Sequence, residues 1–438
     1  MHGRPRTAPK ALTPEQQAKL ENYIKHKAMV LAARKKNMYT PATAALTAGI
    51  IKINPDFYTV FNFRKEIVLD MIAKSPERKA EILKEELETM TQALLQQPKS
   101  YYVWHHRVWV MEQGYDDYLA ELENCAKFLK MDPRNFHCWR HRHDVARLAL
   151  EKGLITLQDE LNFTHEKIVE NFSNYSAWHY RSVVLLKIQS QAAQQANADA
   201  AEAEEKHQSP EAVSETSKQD ETKLSPIKHW EKLLRDELKL VGSAIGMEPN
   251  DQSVWLYHRW LVAQILATPS STVSHLPEID ASEGRQMGAE ISSSQKMLNP
   301  LSILPTITLE KPSLDPKQEA NPDSTGREHV FTLPLDIQLE LIEQEIAFLR
   351  DKMLALEPNS RWILNSVAIL YAARYTIQYK LEHSKSSSDT TQIDALRDTT
   401  KQQIGEIFAR LAELDPFRVN YYLYVKKSIL SQVSATSA

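Results

Sequence analysis

"QQPKSYYVWHHR" at residues 96–107 and "DPRNFHCWRHR" at residues 132–142 share one skeleton: a proline, an aromatic three positions on, a tryptophan at six and an arginine at nine. Positions three apart lie on one helix face, so the aromatics and the arginine form a stripe. The skeleton recurs. "NPDFYTVFNFR" (54–64) supplies Pro55, Tyr58, Phe61 and Arg64, and "NFSNYSAWHYR" (171–181) replaces the proline by Phe172 but keeps Tyr175, Trp178 and Arg181. "EPNDQSVWLYHR" (248–259) keeps Pro249 and Trp255, with its arginine one place late at Arg259. Two degenerate copies follow, "EPNSRW" from Glu357 and "DPFRVNYY" from Asp415. Pro55 and Pro98 are 43 residues apart, Pro98 and Pro133 are 35, and Pro133 and Phe172 are 39. A period of about 40 marks a helical-repeat array.

Between copies lies a second amphipathic segment, with Leu83, Leu87, Met90 and Leu94 in the first gap and Leu119, Leu122, Ala126 and Leu129 in the second. Asx or Glu before proline is read as a helix start, with proline at the first helical position. Each repeat is therefore expected to be a helical hairpin that buries its stripe against its neighbours. No run alternates like strands, and the fold class is all-α. Residues 1–45 read as an N-terminal segment and helix, 46–189 as repeats 1–4, 227–267 as repeat 5 and 333–435 as degenerate repeats 6–7. Residues 190–226 are rich in Ala, Glu, Gln and Ser, and 268–332 in Ser, Pro and Thr. Both are expected to be disordered insertions, since neither buries enough apolar surface to offset its ordering entropy.

Composition excludes several functions. Ten glycines and no phosphate-loop motif argue against a nucleotide fold, and a net charge of −4 argues against general nucleic-acid binding. No apolar run reaches membrane-spanning length, and the N-terminus lacks a signal-peptide core. Two cysteines, Cys125 and Cys138, make no disulfide framework, which fits a reducing cytoplasm.

Lys99 directly follows Pro98. On this reading it occupies the first turn of a helix, where the dipole disfavours a cation and favours an anion. A visiting anion resolves the misfit; a lysine reaching into solvent is the alternative. Tyr101 occupies the stripe position of a core aromatic. His105, His106, His137, His141, His143 and Cys138 crowd together, but without a CxxC or HExxH arrangement no metal is expected on this chain.

Five good copies of this tryptophan–arginine hairpin with its Asx/Glu-Pro lead resemble the protein prenyltransferase α subunits, from Asn54 to about Lys427. The "NFHCW" third repeat, the "MHGR" opening and the "EPNSRW" and "LDPFRVNYYLYV" tail resemble the Rab geranylgeranyltransferase branch. They fit less well the α subunit shared by farnesyltransferase and type I geranylgeranyltransferase, which remains an alternative along with a non-catalytic helical scaffold. The resemblance implies a crescent-shaped right-handed superhelix wrapped around a β subunit that holds the catalytic zinc. It implies transfer of geranylgeranyl from geranylgeranyl diphosphate to C-terminal cysteines of Rab GTPases presented by an escort protein. The activity then exists only with the β subunit. Residue by residue, it carries catalytic roles over to Lys99, Tyr101 and His137, and it raises the question of whether His2 reaches the β-subunit zinc. Animal relatives' immunoglobulin-like and leucine-rich domains have no counterpart in the sequence pattern.

Overall fold

The computed structural model describes residues 12–207, 226–267, 332–384 and 390–435. Among these, every regular element is a helix, as the sequence pattern predicts. The chain forms two compact units, Met1–Glu160 and Leu161–Ala438. His2 and residues 268–331 lie outside the described residues.

In the first unit, α1 (Pro14–Lys35) and α2 (Pro41–Ile53) each open with a threonine capping box and proline in the first turn. α3 (Tyr58–Lys74) packs on α2. α4 (Lys79–Gln96) pairs with α5 (Tyr101–Glu112), and α6 (Tyr118–Met131) pairs with α7 (Phe136–Glu151). The division between units falls within α8 (Leu157–Glu170). The second unit continues with α9 (Tyr175–His207), α10 (Pro226–Met247) and α11 (Gln252–Ile265). α12 (Leu335–Ala347) follows, prolonged by a π-helical turn at Phe348–Met353 and by α13 (Leu354–Leu356). α14 (Arg361–His383), α15 (Thr390–Leu414) and α16 (Val419–Ala435) complete it.

The arginines hold the repeats together. Arg107 grips Glu121 on the next helix through Nε and Nη2 at 2.8 and 2.5 Å. Its Nη1 donates to the Leu87 carbonyl at 3.0 Å and to Thr91 Oγ1 at 2.9 Å on the preceding helix. Arg64 makes the same span between Ala44 and Glu86, Arg142 between Leu122 and Glu160, and Arg181 between Leu161 and Glu237. Each guanidinium thus ties three helices, and both charges of each pair are buried. The glutamates are shared between repeats. His106 Nε2 lies 2.6 Å from Glu86, His141 Nε2 lies 2.6 Å from Glu121, and Tyr257 donates to Glu237 at 2.7 Å. In the fifth repeat His258 takes the arginine's place and meets Glu345 at 2.9 Å. Burial pushes the Glu86 and Glu121 carboxyls up, but the arginine and histidine beside each more than offset it and hold both at about 2.

Five readings need correction. The prolines that lead the second and third repeats do not start their helices: α5 begins at Tyr101 and α7 at Phe136, and the Asx residues before the first- and third-repeat prolines cap the preceding helices, as Asn54 and Asp132 do. Proline fits these tight turns because its φ is preset and the turn needs no donor there. The first aromatic of each stripe is not buried: Tyr58, Tyr101, Phe136 and Tyr175 are exposed at the first position of their helices, because packing begins one turn later. Leu119 is likewise exposed, and α6 packs through Leu122, Cys125, Phe128 and Leu129. Finally, α9 remains helical to His207, beyond residue 190, where a disordered insertion was expected to start. Its Ala-, Glu- and Gln-rich run has high helix propensity even without a large apolar face. The 45/46 boundary also falls inside α2, which serves as the first packing helix under α3.

Candidate functional site

The turns between hairpins are built by side chains. The Trp104 indole donates to the Pro98 carbonyl at 2.8 Å, and Trp139, Trp178 and Trp255 do the same to Pro133, Phe172 and Pro249 at 2.9, 2.7 and 2.8 Å. Each tryptophan therefore fixes the turn that precedes its own helix. Asn135 links two turns. Its Nδ2 donates to Pro98 O at 2.9 Å, while its Oδ1 caps α7 by accepting from the backbone of His137 and Cys138 at 3.1 and 3.3 Å. Ser100 repeats the link one step earlier, donating to Pro55 O at 3.0 Å.

This framework brings Lys99, Tyr101 and His137 together on one edge of the first unit. Lys99 lies in the turn, before the Ser100 N-cap, and not in the helix. The dipole misfit read from the sequence is therefore absent, and the cation has an anion of its own, the Asp132 carboxylate at 3.3 Å. With the lysine side chain 66% exposed, this pair is worth only ~0–1 kcal/mol. The Tyr101 ring is 67% exposed and stands edge-on to His137, with centroids 4.2 Å apart. The Phe136 ring lies tilted against the imidazole, with centroids 4.0 Å apart. His137 is buried, and its Nε2 has no hydrogen-bond partner. Burial, then the nearby Lys99 charge, lowers its pKa, so the ring is neutral at physiological pH. A neutral imidazole with an unsatisfied nitrogen beside an exposed tyrosine can hydrogen-bond an oxygen. Beside it, Asp56, Gln97, Pro98, Lys99 and Ser100 line an open groove of about 390 Å³.

Of the neighbouring histidines, His106 and His141 point inward to the glutamates, and His105 faces outward. Burial lowers the His106 pKa, so it donates Nε2–H to Glu86 as a neutral ring. Glu121, Cys125 and His141 bring ligand-type atoms within 4.8 Å of one another. They do not fit a metal, because the Arg107 guanidinium already occupies both Glu121 oxygens. Sequence reasoning missed Asn135 and the five glutamates. The signal was present: each of Glu86, Glu121, Glu160, Glu237 and Glu345 directly precedes a leucine or isoleucine.

No helix among the described residues is long and apolar enough to cross a membrane. Residues 83–114, 118–148, 157–188 and 234–265 match the family described as "Protein prenyltransferase alpha subunit repeat". These frames coincide with α4–α5, α6–α7, α8–α9 and α10–α11. The chain is 31% identical over 267 residues to the Candida albicans "Geranylgeranyl transferase type-2 subunit alpha", covering 58% of this chain and 69% of that protein. The Bos taurus protein of that name is 28% identical over 433 residues, 87% of this chain and 70% of its own length. The Rattus norvegicus one is 30% identical over 253 residues, of which the match spans 57% of this chain and only 39% of the relative. Among solved structures, "Candida albicans protein geranylgeranyltransferase-I complexed with GGPP" superposes with a TM-score of 0.50 at 15% identity, covering 98% of this chain and 95% of that one. At that identity the likeness concerns the fold alone. The repeat frames, the arginine–glutamate ladder that fills them and the Candida relative agree, and the chain belongs to the protein prenyltransferase α-subunit family.

Proposed function

We propose that this chain is the α subunit of a cytoplasmic, heterodimeric type-2 geranylgeranyltransferase. Its β partner holds the zinc and most of the isoprenoid pocket, and its substrates are Rab GTPases delivered by an escort protein. The observation that carries the reading is the open edge where Lys99, Tyr101 and His137 meet. Three polar groups suited to a diphosphate sit on a surface flanked by the exposed rings of Tyr58, Tyr102 and Phe136. Such groups act strongly only where water is excluded, and an open edge needs a second chain to exclude it.

In the transfer, the thiolate sulfur forms a bond to C1 of the isoprenoid as the C1–oxygen bond breaks and diphosphate departs with the electron pair. Zinc on the partner would supply thiolate activation. Lys99 then offsets the charge that gathers on the leaving oxygens. Tyr101 Oη donates a hydrogen bond to them, and His137 Nε2 offers a second donor in its Nε2–H tautomer. Asn135 and Trp104 hold the turn that carries Lys99.

Co-expression with type-2 and CaaX-type β subunits, followed by transfer assays on Rab and CaaX proteins, tests the proposal. Stable pairing with the type-2 β subunit and transfer to Rab alone is expected. Pairing with a CaaX-type β subunit and transfer to a CaaX protein would replace this reading by the shared-subunit one.

A further inference from the structure

The Lys99 side chain is a long arm held at both ends. Its root is the turn at Pro98, whose carbonyl accepts from Trp104 Nε1 at 2.8 Å and from Asn135 Nδ2 at 2.9 Å. Its tip, Nζ, meets Asp132 Oδ2 at 3.3 Å in the turn of the following repeat. Among the described residues Asp132 is the carboxylate within ion-pair reach of this lysine.

Asp132 is a fixed post. It caps α6, donating its N–H to the Phe128 carbonyl at 2.9 Å, and its own carbonyl accepts from Asn135 N at 3.1 Å. Its second carboxylate oxygen, Oδ1, accepts from the Arg134 backbone N–H at 3.2 Å. Asn135 thus grips the root of the arm with its side chain and the post with its backbone, so the two turns are cross-linked. A free lysine spreads its ammonium over many rotamers, and ordering it during a reaction costs entropy. An anchored carboxylate restricts that spread beforehand. An ammonium has three N–H donors, so donors remain for other oxygens.

We infer that Asp132 is a positioning residue for the transfer: it holds the Lys99 ammonium at the edge where Tyr101 and His137 meet, ready for the leaving diphosphate. The inference rests on Lys99 meeting that diphosphate, as proposed for the transfer. Asp132 acts through the lysine, and its two effects have opposite signs. Order at the lysine favours the rate, while the carboxylate's charge repels the diphosphate and weakens its binding. A residue that merely supported the turn would change rate and binding in the same direction.

Asp132→Asn separates these effects. The amide oxygen still accepts from the Arg134 N–H, so the turn is kept, but the charge that holds Lys99 is gone. In the heterodimer co-expressed with the β partner, single-turnover transfer from saturating geranylgeranyl diphosphate should slow by about tenfold. That falls short of the ~10² to 10³ expected of Lys99→Ala. The dissociation constant of inorganic diphosphate should hold level or fall, by up to about fivefold, the most so exposed a pair supplies. Asp132→Glu keeps the charge one methylene farther out and should recover part of the rate. In a Lys99→Ala background, Asp132→Asn should change nothing further. Unchanged transfer by Asp132→Asn while Lys99→Ala is slow would overturn the inference and leave the lysine's role standing. Unchanged transfer by Lys99→Ala would remove both. Weaker diphosphate binding together with slower transfer, or equal slowing in the Lys99→Ala background, would make Asp132 a support of the turn alone and overturn the inference.

Discussion

Glu121 receives Arg107 through two hydrogen bonds of 2.8 and 2.5 Å and His141 through one of 2.6 Å. Replacing it by glutamine keeps the shape and removes the charge. Arg107, buried within α5, would retain only Leu87 O and Thr91 as partners. Breaking one side of a buried pair costs about 3–5 kcal/mol. The carboxyl's pKa gives an independent figure: held at about 2 against an ordinary 4.5, it corresponds to roughly 3 kcal/mol at neutral pH. The two are of the same order, so Glu121→Gln should lower the opening free energy of α5, α6 and α7 by about 3–5 kcal/mol, a fall of ~10² to 10⁴ in amide protection. Hydrogen–deuterium exchange resolved to these helices measures it. Arg107→Met with Glu121→Leu should cost less than Glu121→Gln alone, because an apolar pair leaves no orphaned charge. A loss under about 1 kcal/mol for Glu121→Gln, or a double variant whose cost equals the sum of its singles, would refute the ladder as a stabilising device.

Acid should act through the same groups. Glu86 and Glu121 have depressed pKa values of about 2, so their stabilisation is complete above the unfolded carboxylate's 4.5 and is lost as pH falls through the folded value. Thermal melts between pH 5 and 2 should show that decline, and Glu121→Gln should flatten it. At the candidate site, Lys99→Ala should slow single-turnover transfer by ~10² to 10³ with the heterodimer intact, and Tyr101→Phe should cost less; an unchanged rate for Lys99→Ala removes the lysine from the chemistry. The same substitution should raise the His137 pKa, since the Lys99 charge is one of its two causes, while burial keeps it below the ordinary value; NMR titration of the ring protons would show a static or falling pKa if the two side chains do not interact. Trp104→Phe keeps an aromatic ring but removes the indole N–H, leaving Pro98 O with Asn135 as its donor, so stability should fall by at least about 1 kcal/mol, read by urea unfolding.

The fold was legible because the arginine spacing reports a periodic chemical need. A buried guanidinium must recur at the same place in every hairpin, and Trp104, Trp139, Trp178 and Trp255 recur with it. The partners were harder to see. Glu121 lies 14 residues from Arg107, while Glu237 lies 56 from Arg181, so no fixed spacing reveals the pair. An isolated Glu-Leu dipeptide also reads as the border of an amphipathic face. The candidate site residues were named through resemblance rather than through physics. The helix-dipole argument for Lys99 failed because Pro98 opens a turn, and that distinction depends on Asn135 reaching back across a repeat. Tyr101 was ambiguous for a similar reason: the stripe period is right, but burial begins a turn later.

The ladder also sets an order of events during synthesis. Each cation emerges before the carboxylate that neutralises it. At ~5–20 residues per second, Arg107 waits about 1–3 s for Glu121 and Arg181 about 3–11 s for Glu237, separations of 14 and 56 residues. A nascent chain stalled after α5 therefore holds an uncompensated guanidinium that one stalled after α6 does not. A hairpin in the α4–α5 frame in which the family repeat is counted therefore has its guanidinium neutralised only when α6 arrives.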